Sequence, residues 1–217
     1  MRGLLKKDFC LLKTQRNFLL LIVVMTCFIG YNSSDGNFAV PYLTFLSSFL
    51  LLSSFNYDDN GGCISFLLTL PVSRSGYVRE KYVFGLLLTS AGWIIGELIN
   101  VSMALMRGNM PQMAEIGQNL AWLMGFWIFI FVTIPVVIKY GVERGRIVIF
   151  FIFAVFAGIL FFGEKVLEQI NVNGAEVLAR LFAGWQPLLL ICTAVGTLFA
   201  LAVSYGISIQ IMRRKEF

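Results

Sequence analysis

The sequence offers little for bond-making chemistry, and what it offers is unevenly placed. Histidine is absent, which removes the commonest general base, the commonest transition-metal ligand and the usual pH switch. The four cysteines, Cys10, Cys27, Cys63 and Cys192, form no CxxC pair and read as small apolar fillers. No GxxxxGK[ST] run occurs, because Gly61-Gly62 and the stretch from Gly141 to Gly145 lack a following Lys-Ser/Thr. The chain is therefore expected to carry no catalytic residue, no metal and no cofactor. Two polar constellations remain. One is the segment Leu70-Pro71-Val72-Ser73-Arg74-Ser75-Gly76-Tyr77-Val78-Arg79-Glu80-Lys81-Tyr82. Pro71 ends what precedes it, and Ser73 can cap a new helix through Arg79 that Gly76 softens. The other is Glu97 with Asn100 one turn on, a carboxylate in the middle of an apolar run. Such a group marks either a substrate path or gate, or a satisfied interhelical hydrogen bond.

The elements that must position these residues are membrane helices. Of the 217 residues, 58% are hydrophobic and only 13% charged, with mean hydropathy +0.81, against about 25% charged residues in soluble domains. Spans of about 20 apolar residues are needed to cross a bilayer. Six segments qualify: Phe18–Tyr31, Phe38–Phe55, Val83–Met106, Leu120–Tyr140, Ile147–Gly163 and Leu188–Met212. The first is short, but charge placement requires it. Fourteen of the 17 Lys and Arg residues fall before the first span, between spans two and three, between four and five, or after the sixth. Only Arg107, Lys165 and Arg180 are left for the other face. Basic residues favour the cytoplasmic side, so both termini are expected inside. The apolar run near the amino terminus has no small-x-small cleavage site after it and is expected to stay as a signal-anchor. The basic excess is a topology signal, with no clustered basic domain for nucleic acid. On this placement Glu97 lies ~21 Å along the helix from Val83, toward the outer leaflet.

Two further features flank the spans. In MRGLLKKDFCLLKTQR, helical spacing gathers Leu4, Leu5, Phe9, Leu11 and Leu12 on one face, with Arg2, Lys6 and Lys13 opposite. This fits an amphipathic helix over residues 1–16 in the inner interface, with Asp8 and Gln15 interrupting the apolar stripe. On the outer side, residues 164–187 predict two short helices, Glu164–Ile170 and Ala175–Ala183, joined by a turn at Asn171–Gly174. Trp185 suits an interface belt. In the second span Thr44, Ser47, Ser48 and Ser54 suit close helix packing, and Pro135 predicts a kink in the fourth.

The order Tyr57-Asp58, Ser65, Leu70-Pro71-Val72-Ser73-Arg74, Tyr77-Val78 and Lys81-Tyr82 resembles the cytoplasmic loop of small ABC-2-type permeases, the membrane subunits of ATP-driven exporters. The sequence departs from that pattern at Asp59-Asn60-Gly61-Gly62 and at Gly76, where relatives usually carry charged residues. In layout the resemblance covers the whole chain and is similar to the phenol-soluble-modulin exporter and lantibiotic-immunity permeases. It implies an all-α polytopic protein forming a single transmembrane domain over residues 1–217, in a bacterial cytoplasmic membrane. In such a protein the loop 56–82 carries a coupling helix that docks on a separate ABC ATPase. Ser73, Arg74, Ser75, Tyr77, Val78 and Arg79 are then the expected contacts, with Arg2, Lys6, Phe9 and Lys13 of the interfacial helix nearby. The resemblance further implies two ATPase copies binding ATP-Mg, a second permease subunit, identical or homologous, and export of amphipathic or hydrophobic peptides. An ion-coupled carrier would show paired intramembrane charges or inverted repeats. A membrane-embedded enzyme would need clustered His, Asp or Glu. An accessory immunity protein that sequesters a bacteriocin without transport is the remaining alternative.

Overall fold

The chain folds as antiparallel helices whose ends are matched by specific contacts. The computed structural model describes residues 2–32, 38–59, 73–108, 113–169 and 186–214. These form α1 (Arg2–Thr14), α2 (Arg16–Asn32), α3 (Ala39–Asp59), α4 (Arg74–Met106), α5 (Met113–Gln169) and α6 (Gln186–Arg214). The interfacial segment Cys63–Leu70, the turn at Asn171–Gly174 and the outer helix Ala175–Ala183 lie outside the described residues. Among the described residues, four helices are long and apolar enough to cross a bilayer, or five if α1 and α2, bent by 65° at Gln15, count as one broken span.

The contacts between helix ends define two ends of the bundle. At the first, Asp8 of α1 and Ser54 of α3 meet Lys81 of α4. Arg74 of α4 reaches the last carbonyls of α6 there. At the second, Arg107 donates to the carbonyls of Gly30 at 2.8 Å and Tyr31 at 3.1 Å. It so satisfies acceptors that the end of α2 leaves open. The α1–α2 pair therefore reaches from one end of α4 to the other. α3 returns, starting beside Gly96 and ending beside Tyr77. α1 and the end of α6 share the first end.

α5 departs from expectation. Spans four and five were expected to be separated by a loop holding Lys139, Arg144 and Arg146. Instead the helix is broken only at Gly141, whose φ of 78° is a left-handed value. A Cβ on Gly145 would lie 3.4 Å from the Cα of Val137. Eight residues along a straight helix span ~12 Å, so the chain doubles back here. A residue with a side chain is strained at such a φ. The Asp59 carboxylate accepts from Val142 N at 3.2 Å, capping the second arm where a helix start favours an anion. The helix continues through Pro135, and the break falls six residues later at Gly141. The second arm also runs to Gln169 without interruption, so Glu164–Gln169 extends that arm and is not a separate outer helix.

α3 and α4 pack most closely, through glycine. A Cβ on Gly92 would come within 2.5 Å of Ser47 Cβ, and one on Gly96 within 3.0 Å of Val40 Cα. Thr44, Ser47 and Ser48 turn their hydroxyls back to the carbonyls of Val40, Leu43 and Thr44 at 2.7 to 2.8 Å. They present small, self-satisfied surfaces to the neighbouring helix, as expected for close helix approach. The apolar core lies toward the first end, where Leu51, Phe55, Val78, Phe84, Ile130, Ile134 and Met212 are buried. Outward faces carry large apolar side chains, among them Phe28, Leu198 and Phe199, which suits a lipid surrounding.

Candidate functional site: the root of α4

α4 begins where the sequence places it. Ser73 is extended, with φ −74° and ψ 146°, and its hydroxyl accepts from Gly76 N at 3.1 Å. This satisfies one of the four free N–H groups at a helix start. Gly76, expected only to soften the helix, has a second part in the cap. A Cβ there would sit 2.8 Å from the capping oxygen, so glycine gives the cap room. The helix expected from Ser73 through Arg79 joins the third span directly. It is the first turns of α4, a single helix of 33 residues that extends ~50 Å at 1.5 Å per residue.

Those first turns are held by a buried polar cluster. Lys81 is fully buried, and its ammonium lies 2.7 Å from Asp8 Oδ2 and 2.7 Å from Asp58 Oδ2. Ser54 donates to Asp8 Oδ2 at 2.8 Å and accepts from Lys81. The Tyr77 hydroxyl donates to Asp58 at 3.0 Å. Lys7 bonds to Asp58 and lies 3.2 Å from Asp8 Oδ1. Asp8 comes from α1, Ser54 and Asp58 from α3, and Tyr77 and Lys81 from α4, so three helices are tied at one point. The Lys81 ammonium also sits 5.3 Å from the Phe55 ring centroid and 5.4 Å from that of Tyr77, at cation–π range. Breaking such a pair leaves an uncompensated buried charge, which costs several kcal/mol.

The expected contact residues divide into two sets. Ser73, Arg74 and Arg79 are exposed and Ser75 is half-buried, while Tyr77 and Val78 are buried against the chain's own core. Tyr77 and Val78 therefore hold the helix rather than present a surface. Arg74 donates to the carbonyls of Met212 at 3.3 Å and Arg213 at 3.0 Å, placing a cation at the carboxyl end of α6. On α1, Lys6 and Lys13 are exposed, and Phe9 is half-exposed and edge-on to Phe84 at 5.8 Å. Nothing is described of the Arg2 side chain. Leu4 and Asp8 form the buried stripe, so the residue that broke the apolar pattern is an anchor. The i, i+4 spacing of Leu4, Asp8 and Leu12 was the available signal.

Glu97 and Asn100 are not brought together with this cluster. Glu97 accepts from Asn119 Nδ2 of α5 at 2.8 Å, and the Trp93 indole donates to the Asn119 carbonyl at 2.9 Å. Asn100 is buried. Neither lines the apolar cleft of about 590 Å³ bounded by Phe18, Phe45, Phe49, Leu50, Arg146 and Phe150, which lies between α2, α3 and the second arm of α5.

The sequence model described as "ABC-2 family transporter protein" matches residues 3–213, so it takes in α1, the root of α4 and α6 alike. The chain belongs to this family. No curated protein shows significant similarity to it. As an ABC-2 family transporter membrane protein it is a multi-pass permease and not an enzyme by itself. Permeases of this family work with an ABC ATPase in a lipid bilayer.

Proposed function

We propose that this chain is the membrane-spanning subunit of an ATP-driven exporter, and that the exposed start of α4 receives the movement of a separate ABC ATPase. In this reading α2, α3, α4, the two arms of α5 and α6 make six crossings, with both termini and the root of α4 on the cytoplasmic side of a bacterial plasma membrane. Two such permeases, identical or homologous, pair above two ATPase subunits, which bind ATP-Mg. The observation that carries the reading is the buried Lys81 cluster. A helix tip that is to move a span must not bend at its base, and Lys81 ties that base to α1 and α3. Force applied at Ser73, Arg74 or Arg79 then displaces three helices together. ATP binding shifts the population between inward- and outward-open arrangements.

The cleft beside Phe45, Phe49 and Phe150 is apolar apart from Ser53 and the guanidinium of Arg146. An amphipathic or hydrophobic peptide suits such a lining better than a polar solute does. The test is the association and ATPase activity of the complex reconstituted with a candidate ABC ATPase partner. Arg79→Glu reverses an exposed charge without touching the cluster. It is expected to lower ATPase association at least ten-fold while leaving the permease's own melting temperature within 2 °C, as usual for surface changes of about 0.5 kcal/mol or less. Full association and full turnover in Arg79→Glu and Arg74→Glu together would remove the coupling role.

A further inference from the structure

The ion pairs at the root of α4 leave one carboxyl over. Glu80 is 1% exposed, and neither of its oxygens has a hydrogen-bond partner among the described residues. The nearest cation is Lys81, 3.8 Å away, whose ammonium is already 2.7 Å from both Asp8 and Asp58. The groups facing Glu80 are Tyr77 and Lys81 on its own helix and Lys7 and Asp8 on α1, and Asp58 on α3 competes for both ammonium groups. Three carboxyls thus share two ammonium groups. Were all three ionised, a buried negative charge would stand uncompensated, and a buried group in that position neutralises by taking up a proton. Asp8 Oδ1 supplies the complement, since it is buried and accepts no hydrogen bond although Lys7 lies 3.2 Å from it. A carboxylic acid on Glu80 has an O–H to donate, and Asp8 faces it. One proton between them joins Asp8 Oδ1 to one of the two orphaned Glu80 oxygens and brings the cluster to neutrality.

We propose that Glu80 and Asp8 share a single proton, making the junction of α1 with α4 a buried proton-binding site. The inference rests on packing and charge alone and stands whether or not an ATPase docks at α4. Loss of the proton sets two carboxylates against each other across the α1–α4 contact and loosens α1. The folded chain holds this proton where the unfolded chain, with ordinary carboxyls, has released it. Stability therefore falls as the pH rises above the usual carboxylate range, until the pair itself has ionised.

The test uses the full chain purified in detergent micelles. The infrared spectrum of the unaltered protein at neutral pH is expected to contain a protonated-carboxyl C=O band that disappears in Glu80→Gln. The melting temperature of Glu80→Gln is expected to match or exceed that of the unaltered protein at neutral pH. It is also expected to lose the decline toward alkaline pH. Two results would overturn the proposal. One is a neutral-pH spectrum in which no such band depends on Glu80, with Glu80→Gln destabilised as much as Glu80→Ala. The other is a melting temperature that follows sodium or potassium concentration rather than pH, which would put a monovalent cation in the proton's place.

Discussion

At the scale of single residues, the most consequential side chain is Lys81, which the sequence offers only as a topology charge and as part of the Lys81-Tyr82 match. It is fully buried between Asp8 and Asp58. Lys81→Ala removes the cation and strands both carboxylates, and is expected to cost about 3–5 kcal/mol, read as a large fall in melting temperature in detergent. Lys81→Ala combined with Asp8→Asn and Asp58→Asn is expected to recover part of that loss, since fewer charges are then left unpaired. The capping role of Ser73 was legible because it depends only on a local rule, a hydroxyl three residues before a free N–H. The role of Asp8 was not. It depends on α1 bringing it to a lysine 73 positions away, and the i, i+4 spacing from Leu4 marks only its face, not its partner.

At the scale of elements, the helices were legible from hydropathy, while their ends were set by contacts that hydropathy does not report. α4 fuses the expected coupling helix with the third span because nothing between Arg79 and Val83 breaks helical geometry, and Lys81 and Tyr82 are buried rather than solvated. The expected loop between spans four and five contracts to one residue because glycine alone tolerates the left-handed conformation found at 141. Gly141→Ala is expected to cost about 1–2 kcal/mol through that backbone strain, measurable as a lower melting temperature. Gly145→Ala tests a different term, the close approach to Val137. The α3–α4 contact makes a second prediction at this scale. Gly96→Val pushes a branched side chain into the backbone at Val40 and is expected to destabilise by about 1–3 kcal/mol. Gly117→Val faces open space on a helix and is expected to cost less than half as much. The spacing of Gly92 and Gly96 is the small-xxx-small signal of close helix packing, and it was present in the sequence.

At the scale of the whole molecule, the two ends of the bundle differ in kind. The first carries the buried charges, the Arg74 clasp on α6 and the reversal at Gly141. The second holds the Arg107 clasp on α2 and the Glu97–Asn119 pair. This asymmetry was foreshadowed by the lopsided distribution of Lys and Arg, but its physical form was not. The sequence placed those charges at an interface with water, whereas the fold takes Lys81 wholly and Lys7 partly into a joint with buried carboxyls. Family membership over residues 3–213 makes the chain a permease, and the proposed coupling gives one rigid end a purpose, as the place where a partner's work would enter. The account turns on where that partner touches. The most direct measurement is site-specific photo-crosslinking in the assembled complex, from a crosslinker placed at Ser73, Arg79 or Met106. The account predicts crosslinks to the ATPase from positions 73 and 79 and none from 106. Crosslinks from 106, or an intact complex with none from 73 and 79, would contradict it.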